Sequence, residues 1–420
     1  MGNVVKLDTP GRQRAKRAGR RPRRPSKTAL VLGGGGFTGA IYEMGALRAL
    51  DLLSVDSTVN DFDVYVGTSA GSVVAALTAN GVTPEHMMRV VNRQDPAPFG
   101  AMTPDQLLRP NYWELAVRAL QLPLHLPSLA RSLGRSARRL SPVDMVLALA
   151  EALPSGLYSA EGIEAYVREV LAEPDRTDDF RLLANELYLA ATDLDTCERV
   201  ILGAEGWDDV PISKAVRASA ALPMLYAPSE IKGRTLIDGG VVSTTNLDVA
   251  VEAGARFIVV VNPLVPFVND FTREIPTLWG KRVRRVSEMG FPKIGYQTFK
   301  LVAYQRLHEM ARQWEARYPG VDIVLIEPEP DDQLMFETNI MDFSSRLEVA
   351  RHGFRSVTVR LAKDYDQLKE VCERHGVRIS ATRVRKVVQH FAAEKEQSGA
   401  WRRILEQTTS TLLRQSSAGD

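Results

Sequence analysis

Cysteine is scarce, with two in 420 residues, Cys197 and Cys372. Two thiols build neither a disulfide framework nor a four-thiolate zinc site, and a reducing compartment is the simpler setting. Long hydrophobic runs are also lacking. No stretch approaches 18 consecutive apolar residues, which argues against a bilayer-spanning helix. The longest candidates, 146–153 and 257–267, are too short or are broken by acid, Asn and Pro. Histidine is sparse: His86, His125, His308, His352, His375 and His390 are all there are. None has a strand-end or loop setting, and His308, His352 and His390 fall in expected helices.

The net charge is +2, but it is unevenly spread. Residues 1–28 hold ten Lys and Arg against Asp8 alone, so this segment is +9 and the remainder −7. A basic arm on a mildly acidic body fits a solvated tail better than a nucleic-acid-binding fold. The tail has no apolar stretch of the secretory kind and too much Pro and Gly for a clean amphipathic helix. The expectation is a disordered tail over residues 1–27 on a cytoplasmic protein. Such a tail can touch an anionic membrane surface, and no specific nucleic-acid partner is expected.

The rest is ordinary globular material, 45% apolar and 25% charged. Thr28–Leu32 reads as a buried strand running into glycines, followed by a helix over 39–53. A second strand over 61–66 leads to a helix of small residues over 72–80, stopped by Gly81. Strand–helix–strand–helix is the pattern of a mainly parallel sheet with helices on both faces. Residues 84–175 read as a helical, Pro-broken insert. Strands return at 186–192, 199–202, 235–237 and 256–261, with helices at 213–221 and 247–253. Beyond 266 the chain is helix-rich over 280–317, 341–375, 380–396 and 399–414, with one strand at 321–326. The division is a catalytic domain over 28–265 and a helical C-terminal region over 266–420.

Three short motifs carry chemistry. Gly67-Thr68-Ser69-Ala70-Gly71 matches G-x-S-x-G between a strand and a helix. There a sharp turn pushes the serine hydroxyl out of the sheet, and the helix N-terminus favours developing negative charge. Gly34-Gly35-Gly36-Phe37-Thr38-Gly39 matches G-x-G-x-x-G after a strand. A dinucleotide loop would want an acid at the end of the second strand, and none is there. The better reading is an oxyanion hole of backbone N–H groups at the same carboxyl edge as Ser69. Asp238-Gly239-Gly240 is the third motif, and by itself it is a common turn. It gains weight because no histidine offers a better base for Ser69.

In this order and at these spacings, GGGFTG, GTSAG and DGG resemble the patatin-like phospholipase family. The likeness runs from about residue 28 to 263 and includes the linking stretches 153–159, 191–196 and 218–223. It implies an α/β-hydrolase-related three-layer sandwich and a Ser–Asp dyad. Ser69 is then the nucleophile and Asp238 the general base. Gly34, Gly35 and Gly36 form the oxyanion hole, with the last two as main donors. The implied reaction cleaves a carboxylic ester of a membrane lipid or lysolipid through an acyl-enzyme, in the manner of a phospholipase A or lysophospholipase. No cofactor or metal is called for. Asp193 and Asp195, two apart, read as a solvated strand face rather than as ligands. One departure is Thr38, where the family usually has Arg or Lys; DGG is a recognised variant of the third motif.

Residues 111–140 interleave five Arg with Leu and Trp113. Such a segment can lie on a membrane or act as a lid, although Pro123 and Pro127 favour an ordinary helical subdomain. Two other function classes remain open at this level. One is a non-catalytic lipid-binding or interaction protein on the same fold; the other is a nucleotide-binding protein that uses the glycine loop.

Overall fold

The structure is a computed structural model that describes residues 25–389 apart from 95–96, 98, 119, 121–152, 270, 272–274 and 277–281. The basic tail over 1–24, most of the Arg/Leu-rich segment, and the expected helix over 399–414 lie outside the described residues.

An eight-stranded mixed sheet organises the chain. Its strands are β1 (Thr28–Leu32), β2 (Val64–Thr68), β3 (Glu186–Asp193), β4 (Arg199–Leu202), β5 (Ser229–Ile231), β6 (Arg234–Asp238), β7 (Phe257–Val261) and β8 (Asp322–Ile326). The order is β8-β7-β1-β2-β3-β6-β5, with β4 also on β3. The five strands from β8 to β3 run parallel, and β4, β5 and β6 form an antiparallel edge.

Central strands covered on both faces read as continuous apolar runs. In β1, Leu30 and Leu32 enter one core while Ala29 and Val31 enter the other. The first core takes helices α1 (Gly36–Leu50), α2 (Ala70–Ala79), α3 (Pro84–Asn92), α4 (Glu161–Leu171), α5 (Ile212–Ser219) and, from the far end of the chain, α8 (Arg346–Lys363). The second takes α6 (Leu247–Glu252) and α7 (Phe291–Arg312) through Leu247, Ala250 and Leu307. Full burial of each such aliphatic side chain contributes about 1.5–3 kcal/mol. Among the described residues, no helix is long and apolar enough to cross a membrane.

Several element boundaries differ from the sequence reading, two of them near the site for local reasons; farther on, the expected helix over 280–317 begins only at Phe291. The second strand begins at Val64, because residues 59–61 form a short 3-10 turn. Thr58 Oγ1 accepts the Asn60 N–H, and Asp61 accepts the Thr58 N–H. Helix α1 begins at Gly36, directly on the glycine turn, with no side-chain cap at its start.

The region after residue 265 is built into the same body. β8 pairs in register with β7, Ile258 opposite Ile323 and Val261 opposite Ile326. Helix α8 crosses α1 where glycines face it: a Cβ on Gly45 would stand 2.3 Å from the Ala350 carbonyl oxygen, and one on Gly353 would stand 2.6 Å from that of Tyr42. Backbone atoms cannot yield as a flexible side chain would. Gly45→Val is therefore expected to lower stability by about 1–3 kcal/mol, the usual range for overpacking. Gly100→Val, where an added Cβ meets nothing within 4 Å, is the control. Denaturant unfolding of the two variants checks this, and equal midpoints would contradict the crossing.

Candidate active site

The ladder brings the first two motifs together. Leu32 pairs with Gly67 across β1 and β2, so the next residues along both strands place Gly34 beside Ser69. A Cβ on Gly34 would lie 3.3 Å from Ser69 Cβ and 3.8 Å from its Oγ. The third motif arrives through β3. Thr68 pairs with Ala190, and Ala191 pairs with Asp238 on the antiparallel β6. Ser69 and Asp238 therefore flank one residue of β3 at the same height on the sheet. Their backbones are about two strand spacings, roughly 10 Å, apart, and the Ser69 hydroxyl is still near enough to influence the Asp238 carboxyl.

Ser69 occupies a sharp turn with φ 55° and ψ −126°, a sparsely populated region that costs on the order of 1–3 kcal/mol for a residue with a Cβ. Surrounding contacts hold it there. Its N–H donates to Ser219 Oγ at 3.0 Å, and its carbonyl accepts Ser72 N–H at 2.9 Å and Ser72 Oγ–H at 2.5 Å. Gly71 lets α2 start against the end of β1, since a Cβ there would stand 2.4 Å from Leu32 O. Ala70 follows Ser69 as the first residue of α2.

Asp238 is buried, with 1% of its surface exposed. Its Oδ1 accepts the Gly240 N–H at 2.7 Å, and its own N–H donates to Ala221 O at 3.0 Å. Gly239 passes under β3, where a Cβ would stand 2.3 Å from Ala190 O. Burial pushes the Asp238 pKa up to about 6, and the neighbouring Ser69 hydroxyl and the Gly240 N–H pull it partly back. The Ser69 contact is not a closed hydrogen bond, for Asp238 Oδ2 has no partner in bonding geometry among the described residues. The carboxylate thus has one oxygen fixed by Gly240 N–H and one unpaired.

The glycine turn divides its work. Gly33 N–H donates to Val261 O and Gly34 N–H to Thr244 O, each at 2.9 Å. This corrects the expectation for Gly34, whose N–H is consumed in anchoring the loop and is not free for an oxyanion. Gly35 and Gly36 N–H have no carbonyl partner among the described residues. Gly36 has φ +64°, and a Cβ there would stand 2.8 Å from Ile340 O, so the position requires glycine. Gly39 N–H closes the turn on Gly35 O at 3.0 Å. Thr38, the departure from the family pattern, is buried; its N–H donates to Ile340 O at 3.1 Å and its Oγ1 to Asn339 O at 2.6 Å.

Other groups at the site had no motif to announce them. Buried Asn246, in left-handed conformation after the DGG turn, donates through Nδ2 to Thr68 Oγ1 at 2.9 Å. Arg199 donates to Asn246 Oδ1 at 3.2 Å and pairs with Asp248 at 2.8 Å. The turn after α5 serves both motifs, giving Ser219 to Ser69 and the Ala221 carbonyl to Asp238. Glu43 on α1 is fully buried with both carboxyl oxygens unpartnered among the described residues, and burial holds its pKa well above the usual range, against a smaller pull from the Gly33 backbone.

Three of the described histidines are occupied away from Ser69. His308 bonds Glu327, His352 bonds Asp332, and His375 bonds Asp322 while stacking on Phe257. His125 and His390 lie outside the described residues. Asp193 differs from its sequence reading: it is buried, not solvated. It accepts the N–H groups of Asp195 and Thr196 and pairs with Arg234 at 3.2 Å. It is the anchor of a turn, while Asp195 is exposed.

An apolar cleft opens at Ser69. It encloses about 950 Å³ not filled by atoms, its open mouth included, and its walls include Val73, Leu77, Met87, Met102, Ile163 and Leu225. The described part of the insert thus supplies wall rather than a separate lobe.

A family model described as patatin-like phospholipase matches residues 30–251, more than half of the chain. The chain belongs to the patatin-like phospholipase family. Among curated relatives of this patatin-like protein is a probable lipid hydrolase, 463L, of invertebrate iridescent virus 6. The two are 22% identical over 229 residues, 53% of this chain and 63% of that protein. An uncharacterized protein of Bacillus subtilis (strain 168), YqhO, is 26% identical over 221 residues, 49% of this chain and 64% of that one. The chain therefore spans just under two thirds of the length of these relatives. Solved structures that match include VipD from Legionella pneumophila, at 13% identity and TM-score 0.32, covering 94% of this chain and 79% of that one. Another is human GIVD cytosolic phospholipase A2 in complex with methyl γ-linolenyl fluorophosphonate, at 10% identity and TM-score 0.31, covering 84% and 59%. These overlays are too loose to add to the topology above.

The raised Asp238 pKa has a stability consequence. A carboxyl group that is harder to ionise when folded favours the native state at low pH. That contribution is complete below the unfolded value near 3.8 and lost as pH rises through about 6. The difference amounts to roughly 3 kcal/mol. Asp238→Asn, which removes the titration, should gain stability relative to wild type between pH 4 and 6, then hold that gain to pH 8. Chemical denaturation at several pH values measures it, and a pH-independent difference would contradict the buried-carboxylate account.

Proposed function

We propose that this chain is a serine lipid acyl hydrolase that cleaves carboxylic esters of membrane lipids or lysolipids with Ser69 and Asp238. The observation that carries the reading is a strained, buried serine that lines an apolar cleft and lies near a desolvated carboxylate. A serine hydroxyl is a weak nucleophile until a base takes its proton. In this reading Asp238 takes it; its burial beside the Ser69 hydroxyl supports the role, and a pKa of about 6 suits a base working near neutral pH.

In the proposed reaction, Asp238 accepts the Ser69 proton as Oγ attacks the ester carbonyl. The tetrahedral oxyanion rests on the N–H groups of Gly35 and Gly36, and one such donor is typically worth ~3–4 kcal/mol. Asp238 returns the proton to the departing alcohol. Water then attacks the acyl-enzyme, gives its proton to Asp238, and releases the fatty acid as Ser69 recovers its own. The cleft holds the acyl chain throughout.

Ser69→Ala and Asp238→Asn are each expected to cut hydrolysis of a short-chain nitrophenyl ester by more than ~10³-fold, with circular dichroism unchanged. A fluorophosphonate probe should label wild type and not Ser69→Ala. In wild type, kcat/KM should fall as pH drops through about 6, because protonated Asp238 cannot act as base. Activity retained by either folded variant would overturn the role given to that residue.

A further inference from the structure

The rim of the cleft is built by a segment far along the chain. Residues 339–346 lie directly on the glycine turn, where Asn339 and Ile340 take the two hydrogen bonds of Thr38. Phe343 stacks on Phe37, with ring centroids 5.1 Å apart and planes at 24°. Phe343 in turn carries two guanidinium groups, Arg346 at 4.7 Å and Arg93 at 5.9 Å from its ring centre. Arg346 and Phe343 line the same cleft as Ser69. Arg346 Nη1 donates to Phe343 O at 3.1 Å. Arg93 ends α3 in a left-handed conformation and is exposed.

Among the described residues, neither guanidinium has a carboxylate partner. Elsewhere arginines find theirs: Arg199 pairs with Asp248, Arg217 with Glu164 and Arg374 with Asp322. Of the two acids near Arg346 in sequence, Asp342 spends both oxygens on Ser344 and Ser345, and Glu348 is exposed and makes no ion pair with it. Two forked cations thus meet on one ring that lines an otherwise apolar cleft; Arg346 is in that lining and Arg93 is exposed. Guanidinium forks match phosphate oxygens in pairs.

We propose that Arg346 and Arg93 read the phosphate of a lipid head group and select lipids with a net anionic head over zwitterionic and neutral ones. The assignment of the ester to Ser69 rests on the function proposed above; the head-group selection does not require it. With the acyl chain in the cleft, the polar end is left at the rim. There a monoanionic or dianionic phosphate meets two cations, while a choline ammonium would meet like charge.

The test is equilibrium binding of octyl ether lipids, which have no ester to cleave, kept below their micelle concentrations. The glycerophosphate form should bind at least about tenfold tighter than the glycerophosphocholine and glycerol forms, the scale of one charge-assisted contact. Arg346→Gln and Arg93→Gln should each erode that ratio, and the double variant should abolish it. Arg346→Lys should retain part of it, since a point charge lacks the fork. Raising NaCl to about 0.5 M should weaken the anionic form alone, as expected for screened charges. Equal binding of the three lipids by wild type, or an undiminished ratio in the double variant, overturns the proposal. So does glycerol 3-phosphate binding as tightly as its octyl ether, which would give the rim to a soluble phosphate ester. Fluorophosphonate labelling in parallel separates the two claims. Labelling with no head-group ratio sinks the rim alone, and a ratio without wild-type labelling sinks the hydrolase reading alone.

Discussion

A buried carboxylate with one oxygen held and the other free is the constraint around which this molecule is arranged. Asp238 is cut off from water, and Gly240 N–H satisfies only Oδ1. Leaving a buried acceptor unpaired costs on the order of 1–3 kcal/mol. In the proposed reaction the unpaired oxygen is the one that accepts the Ser69 proton, which gives the fold a reason to keep that cost. Fixing it takes the ladder from β2 through β3 to β6, the Ala221 carbonyl on Asp238 N–H, and the Asn246 bond to Thr68.

Strain and desolvation are offset here by rigidity rather than by local comfort. Ser69 sits in an unfavourable backbone region, yet three hydrogen bonds and the close docking of Gly71 leave it little freedom. The glycine turn spends Gly33 and Gly34 N–H on anchoring, while Gly35 and Gly36 N–H meet no carbonyl among the described residues. In the proposed reaction this separates residues that hold the loop from those that meet substrate, so little reorganisation is needed when charge develops.

The sheet and its three motifs were legible because each depends on neighbours in sequence. An apolar run, a Gly-Ser turn and an Asp-Gly turn each declare a local geometry. What was not legible comes from long range. Ser219 reaches Ser69 across 150 positions, and Thr38 bonds Asn339 across 301. An isolated Ser or Asn carries no pattern that reveals such a partner. Gly34 was misread for a related reason: its N–H partner, Thr244, lies on the loop after β6, and no glycine count shows which amide is spent. Asp193 looked solvated by strand alternation, but it closes the turn at the end of its strand and turns inward to do so.

The crossing of α1 and α8 through facing glycines locks residues 36–50 to residues 346–363. A version shortened near residue 265 would forfeit β8 from the sheet edge and the 339–346 brace on the glycine turn. Dissection by deletion would then report collapse of the whole instead of the duty of the missing part. Point substitutions, or grafting of the complete span through α8, are the routes by which this scaffold can be taken apart or reused.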